Sequence, residues 1–298
     1  MRYDLNKILA FVSRIMGTIT EVKKLKSVTN DVYKIKNNNE YIVKIYLNRG
    51  LTSDLDLKIT KRFGDFNGVM KRNFLSGRIG GVNFVVVEYI KGKLLSNIIY
   101  RINPSEYYRQ LCNFLMECGK IKTKKYGRLK NSLDGSYKNW LRFLLDLEED
   151  IYYRSNDFEK LVGINLCKLK EFTIDLLKKR KICSVLIPVD LNLSNFIITK
   201  GGKVRAIEIG SWFAGDPLFP YCLLLTHAWK TPLYNQIIKD KPIQEDTRIS
   251  LFYSLLESLS VISFNKKIYP SKLKTLKPFG NKLSFMNIME EQKKLIGI

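Results

Sequence analysis

The sequence predicts an α+β protein in two unequal parts, a small antiparallel-sheet N-lobe followed by a larger, mainly helical C-lobe. Three observations carry this expectation. Short β-branched and aromatic runs separated by turn residues dominate the first 90 positions. Apolar residues at three- and four-residue spacing dominate from about position 94 onward. At 298 residues the chain can fill two lobes, and a chain of that size buries roughly 75% of its unfolded surface without staples.

In order, Val32-Tyr33-Lys34-Ile35-Lys36 and Tyr41-Ile42-Val43-Lys44-Ile45-Tyr46 flank Asn37-Asn38-Asn39, which predicts a hairpin. Residues 52–63 have room for one helix, and Gly64, Gly68, Gly77, Gly80 and Gly81 punctuate the way back into the sheet. Phe84-Val85-Val86-Val87-Glu88-Tyr89-Ile90 reads as a strand ended by Lys91-Gly92-Lys93. This places an N-terminal lobe at 1–90 and a C-terminal lobe at 91–298, joined by a linker near 88–93. Helical spacing recurs at 107–118, 140–151, 166–177, 218–230 and 247–262. A β-rich island interrupts it at 185–209, and the basic last thirty residues carry no readable pattern. A cleft between two such lobes is where a ligand is expected.

Composition excludes several classes. An apolar content of 45% with 12% aromatic residues excludes wholesale disorder. No run of 18 apolar residues exists, so no spanning helix is expected. The N-terminal stretch lacks the small-residue cleavage site of a secretory signal. Cys112, Cys118, Cys167, Cys183 and Cys222 are scattered and never spaced C-x-x-C, which reads as reduced thiols in a cytoplasmic protein. With His227 the sole histidine, neither a zinc site nor a histidine-dependent triad is expected. Lys and Arg number 51 against 28 Asp and Glu, a net charge of +23. The excess lies in short clusters such as Lys23-Lys24-Leu25-Lys26, Lys122-Thr123-Lys124-Lys125 and Lys178-Lys179-Arg180-Lys181. Such clusters are commonly solvated helical faces, and they also attract polyanions.

The chemistry sits in the β island, Pro188-Val189-Asp190-Leu191-Asn192-Leu193-Ser194-Asn195-Phe196 through Gly201-Gly202 to Ile207-Glu208-Ile209-Gly210. If Gly201-Gly202 is a two-residue hairpin turn, Asn195 lies directly opposite Glu208, with Asp190 just upstream. Three oxygen ligands without His or Cys suit a hard cation such as Mg²⁺.

These residues resemble the aminoglycoside phosphotransferase and choline kinase family, which has a protein-kinase-like fold. Asp190-x-x-x-x-Asn195 resembles a kinase catalytic loop, and Glu208-Ile209-Gly210 falls at the metal-binding acid. Gly215-Asp216-Pro217, Val87-Glu88-Tyr89-Ile90-Lys91-Gly92, Lys44 in Ile42-Val43-Lys44-Ile45, and Tyr126-Gly127-Arg128-Leu129 with Trp140 resemble further family segments in the same order. The resemblance spans about residues 18–230 and implies ATP and Mg²⁺ as cofactors and a small-molecule hydroxyl as acceptor. It implies that Asp190 meets the acceptor hydroxyl, that Asn195 and Glu208 hold Mg²⁺, and that Lys44 bridges phosphates with Asp56 as the favoured acidic partner over Asp54 and Asp65. It implies that the backbone of Ser27, Val28, Thr29 and Asn30 covers the phosphates and that Glu88, Tyr89 and Ile90 receive adenine. Asp216 is expected to be structural, bonding backbone amides.

The departures are Pro188 where the family has His, Glu208 where it has Asp, and Ser27 or Val28 where it has Gly. Two alternatives therefore stay open: a pseudokinase that binds a nucleotide or partner without turnover, and a nucleic-acid-associated kinase-like protein. The charge of +23 fits a sugar, nucleoside-like or phosphorylated acceptor better than a polycation.

Overall fold

Asp4 starts the first helix, α1 (Leu5–Met16), by accepting the N–H groups of Asn6 at 3.0 Å and Lys7 at 3.3 Å. Gly17, at φ 93°, ends it in a conformation that an L side chain resists. Ile8 and Val12, one turn apart, are fully buried. The computed structural model describes residues 3–25, 27, 30–47, 54–66, 68–129, 133–207, 209, 211–239, 243–244, 246–268, 270–271, 277–278 and 283–298, apart from the side chains of 54, 56 and 57. The chain divides into two units: Met1–Gly92 with Arg205–Ile207, and Lys93–Val204 with Glu208–Ile298.

The first unit is a five-stranded antiparallel sheet of β1 (Glu21–Leu25), β2 (Asp31–Lys36), β3 (Glu40–Tyr46), β4 (Asn73–Ile79) and β5 (Val82–Glu88), ordered β1-β2-β3-β5-β4. Its inner face presents Tyr33, Ile35, Val43, Ile45, Val82, Phe84 and Val86 to Ile8 and Val12 of α1. Alternate residues take that face because the side-chain period of a strand is two. Each such aliphatic or aromatic side chain contributes roughly 1.5–3 kcal/mol on burial. The predicted hairpin turn is present: Asn37 N–H donates to the Asn39 carbonyl at 3.0 Å, and Asn39 N–H to Asn37 Oδ1 at 2.9 Å. The predicted helix is α2 (Asp54–Phe63). One helix was expected in this part, and α1 is a second.

The second unit runs β6 (Gly92–Leu94), α3 (Leu95–Ile98), α4 (Pro104–Gly119), β7 (Gly127–Arg128), α5 (Trp140–Tyr153), α6 (Phe158–Val162), α7 (Leu166–Leu177) and β8 (Val185–Pro188). It continues with a 3₁₀ turn (Leu193–Asn195), β9 (Phe196–Thr199), β10 (Val204–Ala206, whose last two residues belong to the first unit), β11 (Trp212–Gly215), α8 (Phe219–His227), α9 (Tyr234–Ile237), α10 (Thr247–Ile268) and α11 (Phe285–Ile296). β11 lies between β7 and β8, antiparallel to both, with Trp212 opposite Pro188 and Gly215 opposite Val185. The core gathers Trp140, Phe143, Phe219 and Tyr253 in tilted and edge-to-face contacts. α10 is buried along much of its girth, Phe252, Tyr253, Leu255, Leu256, Leu259 and Ile262 being enclosed with Ser250, Ser254, Ser258 and Ser263. Gln292 of α11 satisfies two of those serines, donating to Ser254 Oγ at 2.7 Å and accepting from Ser258 Oγ at 2.8 Å. No described helix is long and apolar enough to cross a membrane.

The hairpin of the β island departs from expectation in register. Gly202 N–H donates to the Thr199 carbonyl and Thr199 N–H to the Lys203 carbonyl, both at 3.0 Å, with Gly202 at φ 72°. The loop therefore holds three residues, Lys200-Gly201-Gly202, ending in a left-handed glycine that suits the strand twist. The pairing at the turn is therefore one residue out from the two-residue turn on which the expected opposition of Asn195 and Glu208 rested. Glu208 itself lies outside the described residues.

Candidate active site

The loop after β8 is shaped by alternation between buried and polar positions. Val185, Leu186, Ile187 and Pro188 are all buried, and Val189 N–H donates to the Ser211 carbonyl at 3.1 Å, so the strand delivers Asp190 from a fixed base. Leu191, Leu193 and Phe196 then plug the loop into the core at 1% exposure or less. Asn192 caps the 3₁₀ turn: its Oδ1 accepts Ser194 N–H at 3.0 Å and Ser194 Oγ–H at 3.1 Å. Asn195 closes the loop by donating from Nδ2 to the Asp190 carbonyl at 3.2 Å. With the amide nitrogen so engaged, Oδ1 is the end of Asn195 turned away from that carbonyl. The structure thus brings Asp190 and Asn195 together in one closed loop, with Asp190 half-buried.

The base of this loop rests on β11, and β11 ends in a buried polar knot. Asp216, 1% exposed, accepts Leu218 N–H on Oδ1 at 2.9 Å, and on Oδ2 the Tyr253 hydroxyl at 2.9 Å and Arg180 Nε–H at 3.1 Å. Tyr253 accepts Trp140 Nε1–H at 2.9 Å, and Arg180 also pairs with Asp246. Burial beside Asp216 pushes the Tyr253 hydroxyl well above its ordinary pKa. Asp216 therefore bonds a backbone amide as expected and links α5, α10 and the segment after α7 as well. Arg180 is the exception in its basic run: it is spent inside the fold, where the run as a whole reads as surface charge. Gly215 is required next to this knot, since a Cβ there would lie 2.1 Å from the Trp140 ring.

In the first unit, Lys44 sits on β3 opposite Val32 and Val85, buried on the face that Val43 and Ile45 do not take, with its ammonium 5.0 Å from the Tyr46 ring centre. Asp56 lies within α2 but its side chain is outside the described residues, as are Val28 and Thr29. Asp65 is engaged elsewhere, its Oδ1 accepting Gly68 N–H at 3.1 Å. Ser27 is exposed, and Asn30 is buried at the start of β2. Glu88 accepts Arg205 NH2 at 2.7 Å and Arg72 N–H at 3.3 Å. Tyr89 lies under the Lys34 ammonium at 4.1 Å, and Ile90 is buried. Glu40 pairs with Lys34 and with Lys91 at 2.9 Å, which together pull its carboxyl down to about 2.

The return of residues 205–207 to this unit carries no signal in the sequence. Ala206 N–H donates to the Val69 carbonyl at 2.7 Å, and the buried Lys71 ammonium donates to the Ile207 carbonyl at 2.5 Å. The segment that precedes Glu208 is thereby built into the first unit. His227, by contrast, joins no site: it pairs with Glu257 at 3.0 Å beneath the edge of Phe285. Among the described residues no three His, Cys, Asp or Glu side chains gather as a metal cluster.

No protein-family model matches the sequence, and no curated protein matches it. Solved structures do match. The chain superposes on aminoglycoside phosphotransferase APH(4)-Ia with a TM-score of 0.75 at 10% identity, covering 98% of this chain and 99% of that one. The chain has a protein-kinase-like fold. The same enzyme as a thermostable mutant in ternary complex with ADP and hygromycin B gives a TM-score of 0.73 at 10% identity, covering 97% and 98%. Choline kinase LicA from Streptococcus pneumoniae gives 0.65 at 15% identity, covering 98% of each chain. At these identities it is the kinase-like fold that is shared.

Proposed function

We propose that the protein is an ATP- and Mg²⁺-dependent phosphotransferase that moves the γ-phosphate to a hydroxyl of a small molecule. The observation that carries this reading is the closed Asp190–Asn195 loop, anchored by the Asn195 amide on the Asp190 carbonyl. Phosphoryl transfer needs positioning and charge neutralisation more than covalent chemistry. Asp190 takes the role of orienting the acceptor hydroxyl and accepting its proton. Asn195 Oδ1 and the Glu208 carboxylate are oxygen donors of the kind Mg²⁺ takes, with Asn195 already turned by its anchored nitrogen. Mg²⁺, when bound, supplies neutralisation of phosphate charge. Lys44, held on a buried stretch of β3, takes the α- and β-phosphates. Asp56 as its partner, the backbone from Ser27 to Asn30 as phosphate cover and Glu88 to Ile90 as the adenine-receiving segment belong to the same proposal. The ADP and hygromycin B in the neighbour's ternary complex support a nucleotide and a small-molecule acceptor.

The test is calorimetric titration of ATP with and without Mg²⁺ on the wild type, Asp190→Ala and Glu208→Ala, at moderate salt. Saturable binding strengthened by Mg²⁺ and weakened by Glu208→Ala is the expected result, and Asp190→Ala should keep ATP affinity while lowering turnover about 10²–10⁴-fold. Binding no tighter than that of inorganic phosphate, with or without metal, would sink the reading. Pro188 in place of a polar residue at the base of the loop favours a second reading, nucleotide binding without turnover. Saturable ATP binding with no phosphate transfer to any of a panel of sugars, nucleosides and phosphorylated alcohols would select it.

A further inference from the structure

Two acid-free stretches of the chain, residues 118–133 and 176–189, carry basic clusters that the phosphotransferase reading does not use. The fold lays them side by side. Lys122 opposes Val185 in an antiparallel bridge, Thr123 N–H donates to the Ser184 carbonyl at 3.0 Å, and Leu186 N–H donates to the Ile121 carbonyl at 2.8 Å. The seam is locked from within: the Thr123 and Ser184 hydroxyls meet at 2.6 Å, Ser184 Oγ donates to the Lys125 carbonyl at 2.9 Å, and the Tyr126 hydroxyl donates to the Ile182 carbonyl at 2.6 Å. Because Thr123 and the buried Ser184 turn inward, strand alternation turns Lys122, Lys124 and Cys183 outward together, and the Lys122 ammonium reaches Cys183 Sγ at 3.5 Å.

The two adjoining stretches hold seven exposed lysines, Lys120, Lys122, Lys124, Lys125, Lys178, Lys179 and Lys181. Lys120 and Lys178 form ion pairs, with Glu117 at 2.5 Å and Asp175 at 2.7 Å. Asp175 also feels the Lys179 charge, and Asp134 accepts the Lys124 N–H at 2.9 Å, but among the described residues no ion pair ties down the ammonium groups of the other five. Each end of the face also offers one apolar side chain. Met116, 51% exposed, precedes Lys120 by one turn of α4, and Ile174, 42% exposed, precedes Lys178 by one turn of α7.

We propose that this face docks the protein on an anionic lipid surface, with the lysines over the headgroups and Met116 and Ile174 at the acyl boundary. Lysine is a compact, hydrated point charge suited to a diffuse field of headgroups. Of the two arginines in these stretches, Arg180 is spent on Asp216 and Asp246, and Arg128 pairs with Asp150 at 3.1 Å. Among the described residues no exposed aromatic ring stands on these stretches to supply the stacking that single-stranded nucleic acid uses. Exposed apolar side chains flanking lysines are instead the makings of interfacial binding. The proposal is independent of the phosphotransferase reading.

The experiment is co-sedimentation of the full chain with phosphatidylcholine vesicles, pure or with about one-third phosphatidylglycerol, at about 0.1 M salt, where charges act over about 10 Å. The wild type should pellet with the anionic vesicles only and be released at about 0.5 M salt. The combined Lys124→Glu, Lys125→Glu, Lys179→Glu and Lys181→Glu variant, all at exposed positions, should lose at least about a hundredfold in partition while keeping its thermal unfolding transition. Met116→Ser with Ile174→Ser should weaken partition several-fold without changing its salt dependence. Equal pelleting with neutral vesicles, or wild-type partition by the charge-reversed variant, overturns the proposal. So does preferential capture by duplex RNA at equal phosphate concentration, if the same four substitutions abolish it.

Discussion

At the residue scale, Glu148 shows what burial does to a single group. It lies on α5 with no exposure, its Oε1 2.5 Å from the Thr173 hydroxyl, which also lies 2.9 Å from the Leu169 carbonyl. A hydroxyl has one proton, so both contacts are met together when Glu148 is protonated and supplies the second. Burial pushes its carboxyl up to about 8. A raised folded-state value means that Glu148 favours folding most fully below about pH 4.5, and that this contribution is lost as pH rises through about 8. Denaturant unfolding across that range should show stability falling with pH. Glu148→Gln should remove that fall and exceed the wild type at about pH 9 by on the order of 3–5 kcal/mol. An unchanged pH slope in the variant would disprove the assignment. Nothing in Leu147-Glu148-Glu149-Asp150 marks Glu148 in the sequence, because neighbouring acids share the string and only the helix phase distinguishes them. That Asp190 and Asn195 share one short loop was legible, because their spacing is a local pattern. Lys71 and Arg205 were not, because their partners come from far along the chain.

At the scale of elements, the β8–β11 ladder supports the Asp190 loop at one end and the Asp216 knot at the other. Gly215→Ala should force the Trp140 ring aside and cost about 1–3 kcal/mol, read as a lower urea midpoint with unchanged slope. Ile8→Ala, which removes a fully buried side chain from the α1–sheet core, should cost about 2–5 kcal/mol by the same measurement. Wild-type midpoints in either variant would contradict the packing described. The hairpin of β2 and β3 could be read from sequence because both strands and the turn are contiguous. α11 could not, since its apolar positions become meaningful only against the side of α10. The one-residue register error in the β island arose because Gly201-Gly202 marks a turn without fixing which residue opens it.

At the scale of the whole molecule, a charge of +23 sets a repulsion that scattered ion pairs do not cancel. Raising salt from about 0.05 to 0.5 M shortens the Debye length from above 10 Å to below 5 Å, so the thermal midpoint should rise by several degrees. A midpoint that falls would mean that ion pairs such as Arg180–Asp246 outweigh the repulsion. The first unit also borrows Arg205–Ile207 from late in the chain. During synthesis, Glu88 and Lys71 are made long before Arg205 and Ile207, to which they bond. The sheet unit is therefore left unfinished on the ribosome until residues 93–204 have emerged, and a nascent chain halted before that point should remain open to protease in its N-terminal third.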